Sequence, residues 1–282
     1  MLALLAFACG EGDKNVTVPA YLSIQNLELK DSLTGAPLLD TDIRDVWCFV
    51  DGKSVGVFGL PARIPVPFSG KKEIRLYAGV WADGQADQKV NYPFYAGYID
   101  TIDLVAGSTK AIVPKVKGTS AAFITSLFKE TFEASGIEMD SFPNGGVPVR
   151  IGTENPPAGG GLRYGLVRNQ ATGVPKRLEI TQTRAIKTPS KVFYAELQYK
   201  SNTPITIGLY GYATGQRIPS AGANELVLSA SGGAWRKVYV FLANEAEQIK
   251  NSPECRVFIR ANSTGLTDEY FAIDNLNLIS NR

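Results

Sequence analysis

The sequence predicts an all-β protein of two antiparallel β-sandwich domains, an N-terminal immunoglobulin-like sandwich followed by a C-terminal jelly roll. Short apolar runs with two-residue alternation recur along the chain, turn residues separate them, and no long stretch keeps a helical period. With 282 residues, 44% of them hydrophobic, the chain is long enough for two domains of about 100–200 residues each.

The chain opens on an unbroken apolar run, residues 1–8, then Cys9, then the polar stretch Gly10-Glu11-Gly12-Asp13. An apolar run ending in small residues before a lone cysteine is the pattern of a bacterial lipoprotein signal. The expectation is a signal over residues 1–9 with Cys9 as the acylated residue, and a tether over residues 10–18. The run is shorter than the usual secretory signal of about 15–30 residues and lacks a basic start, so a plain hydrophobic N-terminus with a buried cysteine is the competing reading. After Ala8 no apolar stretch approaches the roughly 18–20 residues needed to cross a bilayer, so membrane association is expected only through the lipid.

The first domain is expected over residues 19–117. Leu22, Ile24, Leu27 and Leu29 alternate with a slip at Gln25-Asn26 that reads as a bulge. Residues 46–50 and 54–58 flank Asp51-Gly52, a strong hairpin signal. Pro61, Pro65 and Pro67 confine the next piece to an edge or a turn. Strands are then expected over 72–80, 98–104 and 109–116, with the proline-broken aromatic segment Tyr92-Pro93-Phe94-Tyr95 between them.

Four blocks in this half, VPAYLSIQNLEL, DIRDVWCFVDGKSVGVFGLPARIPV, YAGVWADG and NYPFYAGY, resemble the N-terminal region of a group of surface lipoproteins of the Bacteroidota, over residues 18–105. The resemblance implies outer-membrane or cell-surface placement and association with envelope machinery. Asp31-Ser32-Leu33 and Asp100-Thr101-Ile102 resemble the O-glycosylation triplet of exported proteins of that phylum, which marks Ser32 and Thr101 as candidate modification sites.

Residues 118–126 form the expected junction. Phe123, Ile124, Leu127, Phe128 and Phe132 are compatible with a short helix or with the start of a strand. The second domain is expected over residues 127–282, with strands at 178–183, 192–199, 205–212, 225–229, 235–242, 255–261 and 270–279. The segments Glu130-Thr131-Phe132-Glu133, Tyr194 to Tyr199, Ala234 to Val240 and Phe271 to Leu276 resemble jelly rolls of the carbohydrate-binding, galactose-binding-like type. That resemblance implies that the first and last strands lie side by side, and that a structural calcium could sit between Glu133 and Asp274. Oxygen ligands of this kind suit calcium. The alternative is that Asp274-Asn275 satisfies backbone groups at a strand crossing.

Composition excludes several function classes. Lys plus Arg number 29 and Asp plus Glu 27, spread without blocks, so no concentrated basic face for nucleic acid is expected. There is no histidine, which removes Ser-His-Asp and Cys-His catalysis and His-based zinc sites. Cys48 and Cys255 fall at alternate positions of apolar runs and read as buried core residues, a disulfide between them being the alternative. No cofactor other than the calcium is expected.

Sugar sites need an exposed aromatic platform with convergent polar groups. The candidates are Trp81, Tyr92, Phe94, Tyr95, Tyr98, Tyr210 and Tyr212, the last two on one strand face with Gly208 and Gly211 beside them. The leading expectation is a non-enzymatic, lipid-anchored accessory or structural subunit of an envelope protein assembly. A glycan-binding surface lipoprotein is the alternative, and a carboxylate-dependent glycosidase the third reading.

Overall fold

Asp51 and Gly52, both with positive φ (49° and 76°), turn the chain between strands Asp45–Val50 and Lys53–Gly59 in a computed structural model of the protein. Positive φ at both central residues is what a two-residue hairpin requires, and Asp-Gly supplies it. The structure describes residues 18–31, 34–38, 41–118, 124–141, 146–170, 177–189, 192–223, 225–261 and 268–281. Cys9 and Ser32 lie outside them.

Strand Asp45–Val50 is the middle of a five-stranded sheet, flanked by Lys53–Gly59 and by the long strand Gly70–Trp81. Two further strands, Lys89–Asn91 and Tyr98–Leu104, pair with opposite ends of Gly70–Trp81. Facing this sheet, Ala20–Ile24 lies between Ala62–Val66 and Thr109–Ile112. Leu22, Ile24, Val46, Cys48, Ile64 and Leu76, all fully buried, fill the space between. The slip at Gln25-Asn26 is not a bulge. The strand ends at Ile24, and Glu28–Lys30 joins Lys115–Lys117 in a separate pair, so Leu27 and Leu29 reach the same core from a second direction. The proline-marked piece is an edge strand, as expected.

The C-terminal domain stacks two larger sheets. One has six strands in the order Arg150–Gly152, Tyr164–Asn169, Glu269–Asn281, Phe193–Ser201, Arg236–Phe241, with Ile124–Glu130 beside the far end of Glu269–Asn281. The ambiguous segment after the junction is thus a strand where it is described, and the first and last strands of the domain are neighbours, which closes the sandwich. The other sheet has seven strands, with Met139–Ser141, Leu178–Gln182, Glu254–Ala261, Ile205–Tyr212 and Ala221–Gly222 in that order, and Ile186–Lys187 and Leu226–Leu228 alongside. Alternate residues of both sheets, among them Leu197, Ile207, Val257 and Ile273, are buried between them. Cys48 and Cys255 are free and sit in the cores of different domains. Burial pushes their thiols up, to about 11 and about 12.

The two domains pack together through a third cluster of buried residues, Val80, Tyr92, Phe94, Tyr194, Tyr239 and Ile279. Tyr92 is its centre. Its ring meets Phe94, Tyr95, Tyr194 and Tyr239 at 4.8–5.4 Å between centroids, and its hydroxyl donates a hydrogen bond to Glu196. The turn after Gly70–Trp81 continues the contact on the exposed edge of strand Arg236–Phe241. Ala82 bridges to Tyr239, Asp83 N–H donates to the Tyr239 carbonyl at 2.9 Å, and Phe241 N–H donates to the Asp83 carboxylate at 3.0 Å. An open sheet edge is thereby covered by the neighbouring domain.

Burial and the charge of Glu196 hold the Tyr92 phenol well above its ordinary value of 10.0. In the unfolded chain a tyrosine ionises near pH 10, so the contribution of Tyr92 is fully present below that value and is lost as pH rises above it. Tyr92→Phe leaves the Glu196 carboxylate without its buried donor, at a cost of about 1–3 kcal/mol. Thermal unfolding followed from pH 7 to pH 11 should show a lower Tm for the variant at neutral pH and a shallower loss above pH 10 than in the parent protein.

Candidate functional site

The outer face of the six-stranded sheet carries Tyr194, Glu196, Tyr239 and Phe241, and the N-terminal domain lies on it. This corrects the expectation for three aromatic candidates. Tyr92 is fully buried and Phe94 is 3% exposed, so neither offers a ring to a ligand, and the half-buried Tyr95 has its ring packed against Tyr92. A proline-broken aromatic segment sits on the surface of its own domain, as expected, but that surface is a domain interface.

The outer face of the seven-stranded sheet holds a connected set of polar and aromatic groups. Strand alternation puts Ile205, Ile207 and Leu209 into the core and Thr206, Gly208, Tyr210 and Tyr212 on the other side. Gly208 stands opposite Phe258, and the ring of Tyr210 stacks on Phe258 at 4.3 Å and 26°. From there the Tyr210 hydroxyl reaches the Glu179 carboxylate at 2.9 Å and accepts from Arg177 at 3.0 Å. Glu179 is fully buried and is also held by Arg177 Nε at 2.7 Å and Arg260 at 3.4 Å. Arg260 in turn bonds Glu225. Burial and then the Glu179 charge push the Tyr210 phenol up to about 12, so the hydroxyl stays protonated through the neutral range.

Tyr210 is therefore a half-buried ring lying along a sheet surface, with two guanidinium groups and two carboxylates around it. Tyr212 shares that face but is 2% exposed, with Arg256 over its ring at 4.8 Å, so it does not present a surface. Gly211 does not make room for a ligand either. A side chain there would meet Ser252 at 2.3 Å, on the side where the helix Ala243–Gln248 ends. Arg177, Glu179, Glu225, Phe258 and Arg260 were not among the sequence candidates. The signal for them was a charged residue at alternate positions of otherwise apolar strands, as in Leu178-Glu179-Ile180 and Ile259-Arg260-Ala261.

Trp81 lies elsewhere, half-exposed, in a cleft between the domains. Tyr98 is half-buried and donates to Asp100 at 2.8 Å. Thr101 is exposed in strand Tyr98–Leu104, paired across to Glu73. Gly52-Lys53-Ser54-Val55-Gly56 has the spacing of a hydrolase nucleophile turn, but it runs along the second strand of the hairpin, not from strand to helix, and the chain has no histidine to serve it.

Glu133 and Asp274 converge on one turn. A side chain at Gly160 would meet the Asp274 carboxylate at 2.6 Å, and one at Gly161 would meet Glu133 at 2.1 Å, so the diglycine lets both acids close on it. Gln198 donates to the Ala158 carbonyl at 3.0 Å and accepts from Asn275, which anchors the turn to the sheet. Two carboxylates against one turn supply oxygen ligands of the kind calcium takes. The Arg163 backbone N–H donates to the Glu133 carboxylate at 2.7 Å. Among the described residues no group of three or more His, Cys, Asp or Glu side chains is arranged to hold a metal.

No family model and no curated protein matches the chain. Solved structures similar to it include a carbohydrate-binding module from the β-sandwich superfamily, at 14% identity over 83% of this chain and 84% of that one, with a TM-score of 0.41. A family 11 carbohydrate-binding module from Clostridium thermocellum matches at 14% identity over 56% of this chain and 96% of that one, TM-score 0.37. The K3 cleaved adhesin domain of Lys-gingipain from Porphyromonas gingivalis matches at 12% identity over 56% and 99% of the two chains, TM-score 0.36.

Proposed function

We propose that this protein binds saccharide without transforming it, on the outer face of the seven-stranded sheet, and that Cys9 anchors it by lipid at a bacterial outer membrane or cell surface. The observation that carries the saccharide reading is the Tyr210 ring, laid on Phe258 and fixed at its hydroxyl by Glu179 and Arg177. A pyranose has an apolar face of C–H bonds and a rim of hydroxyls. A flat ring flanked by fixed donors and acceptors meets both requirements in one place.

The aromatic segment that could have offered a protein partner an apolar surface is closed inside the domain interface, which favours saccharide over docking on a larger assembly. A glycosidase would need two carboxylates free to face one substrate, about 5–10 Å apart. Glu179 and Glu225 are instead both bonded to Arg260.

Glycan-array screening of the intact chain followed by calorimetric titration of the best hit tests the reading. Tyr210→Ala should weaken binding at least about tenfold, or roughly 1.4 kcal/mol, while Tyr210→Phe, which keeps the ring, should weaken it less. A folded chain that binds no glycan, or one whose binding ignores Tyr210→Ala, overturns the assignment.

Calcium held by Glu133 and Asp274 would lock the turn at Gly160-Gly161 onto the sheet as a structural ion. Added Ca²⁺ should then raise the Tm, by an amount equivalent to about 2.7 kcal/mol when the ion is at 100 times its Kd. Chelation should reverse the rise and Asp274→Asn should abolish it. A Tm indifferent to Ca²⁺ would rule the ion out.

For the anchor, Cys9→Ala should move the protein from the membrane fraction to the soluble fraction and remove its lipid mass. Unchanged fractionation would count against acylation at Cys9.

A further inference from the structure

We propose that the cleft between the two domains is a second binding site, separate from the Tyr210 face, and that it takes the carboxylate-bearing ring of an acidic sugar. The cleft has a volume of about 350 Å³, and both domains build it. Asp42, Arg44, Trp81 and Gly84 come from the N-terminal side, residues 236–239 from the edge strand of the six-stranded sheet, and Tyr199 from the strand beside it. Ligand sites usually occupy about 300–1,000 Å³, so this one suits a single sugar residue.

Its wall is preorganised. Asp45, 1% exposed, accepts from the Trp81 indole N–H at 2.8 Å and from Lys89 at 2.8 Å, so the indole plane is fixed by a buried, charge-compensated carboxylate. Arg44 lies over that indole at 4.9 Å and is gripped by Asp42 through Nε at 2.9 Å and one terminal nitrogen at 2.8 Å. Asp42 is held in turn, its N–H donating to the Tyr239 hydroxyl at 3.1 Å. A guanidinium has five N–H donors. Asp42 takes two nitrogens, and the remaining terminal nitrogen of Arg44 has no partner among the described residues.

The charge balance points to an anion. Arg44, Arg236 and Lys237 line the cleft, against Asp42 as the one acid of the lining. Lys237 has Glu196 at 3.8 Å. Arg236 is exposed and has no carboxylate within 4.0 Å among the described residues. A held arginine with a free end and a second arginine without a counter-charge, lining one cleft with a half-exposed indole, match a carboxylate attached to a ring with an apolar face. Arginine N–H groups donate to carboxylate, and the part of the indole that Arg44 leaves uncovered is the surface for the sugar ring.

Calorimetric titration of the full chain with D-glucuronate, D-galacturonate, D-glucose and acetate decides the matter. At least one uronate should bind about tenfold or more tighter than glucose, which lacks the carboxylate, and than acetate, which lacks the ring. Added salt should weaken that binding. Arg236→Gln and Arg44→Gln should each reduce uronate affinity about tenfold while leaving the Tm near the parent value, and Trp81→Leu should reduce it too. Tyr210→Ala should leave it unchanged, so the two sites fail independently. Uronate binding no tighter than glucose or acetate, or uronate binding that survives both arginine variants, overturns the proposal, as does its loss in Tyr210→Ala alone.

Discussion

The hydrogen bond from the buried Tyr92 hydroxyl to Glu196 is the contact on which the arrangement of the two domains depends. A phenol and a carboxylate removed from water are costly unless they meet each other. Here each domain supplies one of them, so the desolvation of both groups is offset only when the domains dock with the two in register. The rings around Tyr92 then add apolar burial and edge-to-face contacts of about 0.5–1.5 kcal/mol each. A polar bond at the centre sets the register, and the aromatic shell supplies most of the adhesion.

That interface decides what each surface of the C-terminal sandwich can do. The outer face of its six-stranded sheet, with Tyr194, Tyr239 and Phe241, is closed by the N-terminal domain. The outer face of the seven-stranded sheet is left to carry Tyr210 and the Glu179 network. The interface also creates the cleft at Trp81, because the turn at Asp83 seals only part of the exposed edge of strand Arg236–Phe241. Residues 236–239, leading up to that seal, become one wall, and the N-terminal domain becomes the other.

Burial explains why the aromatic candidates sorted as they did. Strand alternation correctly put Tyr210 and Tyr212 on one face, yet they differ in availability because Arg256 covers Tyr212, whereas Tyr210 lies half-exposed on Phe258. Neither fact is written in the local sequence. Arg256 and Phe258 are more than forty positions downstream of Tyr210 and meet it only through strand pairing. The convergence of Glu133 and Asp274 on Gly160-Gly161 is long-range in the same way, although the resemblance to jelly rolls had named both acids.

The sequence by itself determined the all-β class, the Asp51-Gly52 hairpin, the proline-marked edge strand, the core placement of Cys48 and Cys255, and most strands of the C-terminal domain. Each follows from period-two alternation or from a turn residue whose backbone preference acts within a few positions. Only the tertiary structure decided that Gln25-Asn26 hands the chain from one sheet to another, that the Tyr92-Pro93-Phe94-Tyr95 segment is interface, and that Arg44, Trp81 and Arg236 share a cleft. Those outcomes depend on which surfaces meet after the sheets have formed. That is a matter of shape and paired burial between residues far apart in the chain, to which local periodicity is blind.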